Sequence, residues 1–164
     1  MKNLTRKTIL LAIMAVFCLQ ASAQTEFIDK YAKNDKATVI TIGKEMLTLL
    51  GGDLPSVGDM DIDDMGELVK KVDNIKLATI NDQKTISKVM KDVSKTVKKY
   101  NYSTVLTGKD DDIDIGIYFL QRDGKSNLII TGNEGKELNI IIMEGTFTMA
   151  DLRNLTEMAS DDDE

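Results

Sequence analysis

Hydrophobic positions change their period twice along this chain, and the changes mark its elements. Ala37-Thr38-Val39-Ile40-Thr41-Ile42 is a β-branched run of strand length that Gly43 ends. Met46, Leu47, Leu49 and Leu50 then crowd a short helical segment, stopped by the pair Gly51-Gly52. Asp53 to Asp63, with Pro55, Gly58 and several acids, predicts a loop. Met65, Leu68, Val69 and Val72 return to helical spacing, with Asp64 and Glu67 placed for a capping box, so a short helix is expected there. Ile75 to Ile80 alternates at first and predicts the second strand. Ahead of all this, Thr25 to Asp35 is a polar lead-in anchored only by Phe27, Ile28 and Tyr31, fit for a short helix.

The strongest element runs from Asp82 to about Tyr100. Ile86, Val89, Met90, Val93, Val97 and Tyr100 form one stripe, and the opposite face is Lys, Asp, Ser and Thr. Lys95, Lys98 and Lys99 lie toward the C-terminal end, where the helix dipole favours cations. Such a stripe, set between two strands, is expected to cover one face of a sheet.

After Tyr100 the period falls to two. Tyr102–Thr107, Ile113–Gln121, Asn127–Thr131 and Leu138–Met143 are strand candidates joined by short turn-like links such as Arg122-Asp123-Gly124-Lys125. Short links imply antiparallel neighbours, hence a meander. Thr148 with Asp151 forms another capping box, and Met149, Leu152, Leu155 and Met158 predict a last amphipathic helix. The expected fold is a two-layer α+β domain: a largely antiparallel sheet with amphipathic helices on one face.

The first residues follow a different logic. Lys2, Arg6 and Lys7 precede an apolar run from Ile9 to Leu19, and Ala21-Ser22-Ala23 supplies a small-residue cleavage site before Gln24. This is the layout of a secretory signal peptide, and the run is too short for a membrane anchor. The chain therefore divides into a leader at 1–23, a single domain at 24–158 and an acidic tail, expected to be disordered, at 159–164. Cleavage removes three basic residues and no acidic ones, taking the formal charge from −6 to −9. That balance argues against nucleic acid or an anionic membrane surface as a partner, and no membrane span is expected after cleavage.

Cleavage also removes Cys18, the only cysteine, from a chain without His or Trp. Disulfides, soft metal ligands and His-based nucleophile activation are thereby unavailable to the mature protein. Gly43-Lys44 after a strand imitates a phosphate loop, but Thr38 stands where a glycine is needed and Glu45 where Ser or Thr is needed. Oxygen ligands remain. Asp59, Asp61 and Asp63, or Asp110, Asp112 and Asp114, offer alternating carboxylates of the kind Ca²⁺ and Mg²⁺ accept, although the first cluster fails the EF-hand pattern at Asp64 and Lys70. No residue is nominated as catalytic, cofactor-binding or metal-ligating, and no cofactor is expected.

Three blocks carry a likeness: Thr38 to Met46, Ile75 to Thr79, and Ile140-Ile141-Ile142-Met143-Glu144-Gly145 ahead of a Leu-rich helix. They resemble the exported bacterial proteins grouped as domain-of-unknown-function family 4252, with Gly43 standing where that pattern has serine. The resemblance spans most of the mature chain, implies a small envelope protein of Gram-negative bacteria, and brings no activity or ligand with it. The reading from sequence is thus a periplasmic or outer-envelope protein, non-enzymatic, that binds another envelope protein through the exposed sheet face, with the meander's edge able to accept an added strand. A carboxylate-based Ca/Mg-binding protein, structural or hydrolytic, is the alternative, and a carrier with an apolar pocket under the long helix is a third idea.

Overall fold

The computed structural model describes residues 24–49, 68, 70–109 and 113–153. Among the described residues six strands form one sheet: β1 Ala37–Gly43, β2 Val72–Ile80, β3 Ser103–Lys109, β4 Asp114–Arg122, β5 Lys125–Asn133 and β6 Leu138–Gly145. Helix α1 (Lys44–Leu49) follows β1, and the long helix α2 (Gln83–Tyr100) follows β2. The spatial order is β1-β2-β6-β5-β4-β3, and every neighbouring pair is antiparallel. The α+β class and the meander from β3 to β6 are as expected.

That order explains the long helix. β2 lies second in the sheet and β3 lies at the far edge, so α2 must carry the chain across the face of three intervening strands before the meander walks back to β2. The helix starts because Asp82 caps it, accepting from the Thr85 backbone N–H at 2.9 Å and the Thr85 hydroxyl at 2.7 Å. It stops at Asn101, which takes the left-handed conformation at φ 59° and donates its N–H back to the last turn. Ile86, Val89 and Val93 are buried against Ala78, Ile80, Ile129, Ile140 and Ile142 of the sheet.

The lead-in docks on the same face. Its 3-10 turn, Asp29–Tyr31, buries Ile28 and Tyr31 with α2. Tyr31 donates to Asp92 of α2 at 2.7 Å, Lys30 also pairs with Asp92, and Lys76 of β2 reaches Asp29 at 2.7 Å. Burial raises the Asp92 carboxyl, but the hydrogen bonds from Lys30 and Tyr31 outweigh it and leave the group below its ordinary value.

The other face receives shorter pieces. Leu47 of α1, Leu68, Phe147 and Leu152 gather over Val72, Ile75, Met143, Leu128 and Phe119. Residues 149–153 are helical and begin with the expected reciprocal cap: Asp151 accepts from the Thr148 N–H at 2.7 Å, and the Thr148 hydroxyl accepts from the Asp151 N–H at 3.3 Å. Between β4 and β5, Asp123 and Gly124 both have positive φ, 52° and 74°, the geometry an Asp-Gly hairpin turn requires.

Two expectations are corrected here. Helices cover both faces of the sheet rather than one, α2 on the first and α1 with residues 149–153 on the second. Val72, assigned by spacing to a helix, is the first residue of β2, and Asn74 rather than Ile75 already belongs to the ladder with β1. The apolar period at Leu68 and Val72 is shared by two elements that bury into the same cluster, which mimics one helical face. The proposed cap at Asp64 and Glu67, the helix beyond 153 and the acidic tail lie outside the described residues.

Lys71 ties the two ends of this face together by pairing with Asp151. That bond, with the N–H and hydroxyl of Thr148, lowers the Asp151 carboxyl from 3.8 to about 2. A carboxyl depressed on folding contributes stability that is present above its unfolded value and is lost as pH falls through its folded one. Thermal melting should therefore show a fall in Tm between about pH 4 and about pH 2 that is smaller in Asp151→Asn, whose Tm at neutral pH is also lower. An identical acid profile in the variant would contradict this.

Candidate functional site

Sheet register, rather than any cluster of reactive groups, produces the most unusual surface. Ile40 of β1 is paired with Leu77 of β2, Leu77 with Ile141 of β6, Ile141 with Ile130 of β5, Ile130 with Ile117 of β4, and Ile117 with Leu106 of β3. Directly paired residues share a face. Every strand thus gives one aliphatic side chain to a single row that crosses the whole sheet, roughly 24 Å at ordinary strand spacing.

The row lies on the face opposite α2, and it is graded. One row toward Gly145, the in-register residues Ile75, Met143, Leu128 and Phe119 are buried under Leu47, Leu68 and Phe147. One row the other way runs through Thr38, Thr79, Asn139 and Gly132 to Ile115, its one large apolar side chain, and Thr79 donates to Asn139 at 2.9 Å. The aliphatic row between them is only partly covered: Leu77, Ile141, Ile130 and Ile117 are half-buried, while Ile40 and Leu106 at its ends are 51% and 50% exposed.

Its two ends differ. β3 is exposed along its length, but a bulge interrupts its pairing between Thr104 and Leu106 and it closes on Lys109. Bulges and lysines are common means of keeping an edge strand from pairing further. β1 has neither. It runs in unbroken register from Ala37 to Gly43 and contains no charged residue and no proline. An edge of this kind is a template for another strand.

The remaining polar feature is at the end of the sheet nearest Gly145, on the α2 face. Asp73, Asn74, Lys125, Asn127 and Glu144 line a cleft of about 200 Å³. Lys125 and Lys44 hold Asp73 at 2.8 and 3.3 Å, and their hydrogen bonds, Lys125's first, lower its carboxyl despite partial burial. Tyr102 is buried nearby. Burial, with the Glu144 charge adding to it, pushes its phenol above the ordinary range.

Of the acids considered from sequence, Asp59, Asp61, Asp63, Asp110 and Asp112 lie outside the described residues. Asp114 begins β4, paired with Asn133 and with Lys109. Among the described residues no three metal-ligating side chains come together, and no helix is long and apolar enough to cross a membrane.

The family described as Domain of unknown function (DUF4252) matches residues 31–155. This chain belongs to that family. No curated protein and no solved structure matches it. The match begins at Tyr31, which seats the lead-in on α2, and includes every strand of the DUF4252 sheet and thus all six members of the aliphatic row.

Sequence reasoning pointed to an exposed sheet face and missed the row itself. A signal was present. Ile140-Ile141-Ile142-Met143 and Leu128-Ile129-Ile130 are continuous apolar runs, which a sheet covered on one side does not need. The polar row Asn74, Glu144 and Asn127 had no signal, since only the register brings residues so distant in sequence together.

Proposed function

We propose that this chain is an exported, non-enzymatic protein-binding module of the bacterial envelope, and that it takes up an extended segment of another exported protein along β1. The observation that carries this is the aliphatic row running out to an uncharged, uninterrupted edge strand. A strand added there completes its backbone hydrogen bonds on β1 and extends the apolar row by its own alternate side chains. Export is supported by the leader pattern at 1–23.

The partner is a different protein rather than a second copy, by charge. Two β1 strands paired antiparallel about Ile40 would bring Lys36, just before the strand, toward Lys44 of the other copy, the first residue of α1, at both ends of the pair. Like charges brought together there disfavour such a pair. The accepted segment is accordingly uncharged where it meets β1 and apolar at alternate positions.

Crosslinked pull-downs from the host envelope test this with three baits: the wild type, Ile40→Lys and Leu106→Lys. Both substituted side chains are half exposed, so folding should be kept, and a lysine at 40 opposes strand addition. The expected result is one stoichiometric partner held by the wild type and by Leu106→Lys, and recovered about tenfold less by Ile40→Lys. Equal recovery by Ile40→Lys, or no partner with the wild type, overturns the proposal.

A further inference from the structure

Residues 24 and 25 are buried as deeply as the core: Gln24 is 6% exposed and Thr25 1%. They close over the polar end of the sheet, where Asn74, Glu144 and Asn127 stand side by side on β2, β6 and β5. Thr25 donates its hydroxyl to one Glu144 oxygen, Asn74 Nδ2 donates to the other, and Asn127 Nδ2 donates to Gln24 Oε1 at 2.9 Å.

Both Glu144 oxygens and Gln24 Oε1 thus have one donor each, Asp73 lies beside them in the cleft, and the ammonium that lines that cleft, Lys125, is spent on Asp73. Among the described residues, Asn74 Oδ1 is buried and accepts no hydrogen bond, and the Tyr102 hydroxyl, within the field of Glu144, is buried without a partner. Unpaired buried polar atoms are costly and call for a missing partner. A buried amide oxygen left without a donor beside a carboxylate has room for a cationic one.

We infer that this pocket seats the chain's own α-ammonium, released when the leader is cut before Gln24. The inference rests on the export reading above. Hydrolysis by a peptidase of the export machinery breaks the Ala23–Gln24 amide. The water oxygen joins the Ala23 carbonyl as a carboxylate, and the Gln24 nitrogen leaves as an amine that is protonated at neutral pH. A neutral group with one N–H thus becomes a cation with three, one residue away from the hydroxyl that holds Glu144. The uncut chain lacks that cation. Maturation therefore tightens the fold, and Glu144 reads whether it has occurred.

The test compares two proteins released from removable fusions: residues 24–164, which contain every described residue, and the same chain preceded by Ala23. Intact mass confirms that Gln24 has not cyclised with loss of ammonia. The authentic chain should melt higher by about 3 °C or more at neutral pH, and the difference should vanish in the Glu144→Gln pair. Its α-amine should also be acylated far more slowly than the amine of the Ala23-extended chain, a readout that needs no variant to fold. Equal melting with equal acylation overturns the ammonium site. N-terminal sequencing of the exported protein is the separate check: a start other than Gln24 overturns the cleavage reading and leaves the pocket result standing on its own.

Discussion

Gly145→Ala should lower the melting temperature by about 10 °C or prevent folding, the largest effect expected of so small a change. Gly145 ends β6 in register with Val72 of β2 and Ser126 of β5, and the Thr146 N–H beyond it donates to the Lys71 carbonyl at 2.8 Å. A Cβ at this position would sit 2.1 Å from the Lys71 carbonyl oxygen and 2.9 Å from the Val72 Cα. Both are backbone atoms at the start of a neighbouring central strand, so no rotamer change relieves the clash. Overpacking that side chains can absorb costs about 1–3 kcal/mol, and a clash relieved only by separating neighbouring strands exceeds the upper end. Circular-dichroism melting checks it, with Gly124→Ala as a comparison where nothing lies within 4 Å but φ is +74°. A Gly145→Ala protein melting within about 2 °C of the wild type would refute the close approach of β2 and β6.

Phe147→Ala comes next. Phe147 is fully buried just past β6, tilted against Phe119 with ring centroids 6.1 Å apart, and surrounded by Leu47, Leu68, Val72 and Met143. It is the central side chain of the cover over the second face, and its loss leaves a cavity that β-strand backbones cannot collapse to fill. Phe-to-Ala changes at such sites cost about 3–5 kcal/mol, a large share of the roughly 5–15 kcal/mol by which domains of this size are usually stable. Leu49→Ala provides the contrast. Leu49 ends α1 at 81% exposure, and its truncation should stay within about 0.5 kcal/mol. Urea titration of both variants measures the difference, and a Phe147 loss below about 1 kcal/mol would show that the second face is not packed as described.

These two positions also show what the sequence could and could not convey. Local chemistry was legible: the Asp82 cap, the stripe through Ile86, Val89 and Val93, the Asp123-Gly124 turn and the Thr148–Asp151 box all depend on residues within a few positions of one another. Val72 was misassigned because Leu68 and Val72 serve the same cluster from two different elements, and spacing does not record where one ends. The role of Gly145 depends on Lys71, and the row from Ile40 to Leu106 depends on five pairings, none of which is local. Strand order was the missing quantity, because α2 can carry the chain past any number of strands. Once that order is known, the continuous aliphatic runs of β5 and β6 become a surface, and β1, among the described residues, becomes its unguarded end.

The most direct measurement is photo-crosslinking in the living host, with a photoreactive residue placed at Ile40 on β1 or at Lys88 on the solvent side of α2. Binding along β1 predicts one discrete adduct from position 40, heavier than the chain by the mass of another exported protein, and none from position 88. Adducts of equal yield from both positions, no adduct from position 40, or an adduct of twice the chain's own mass would contradict it.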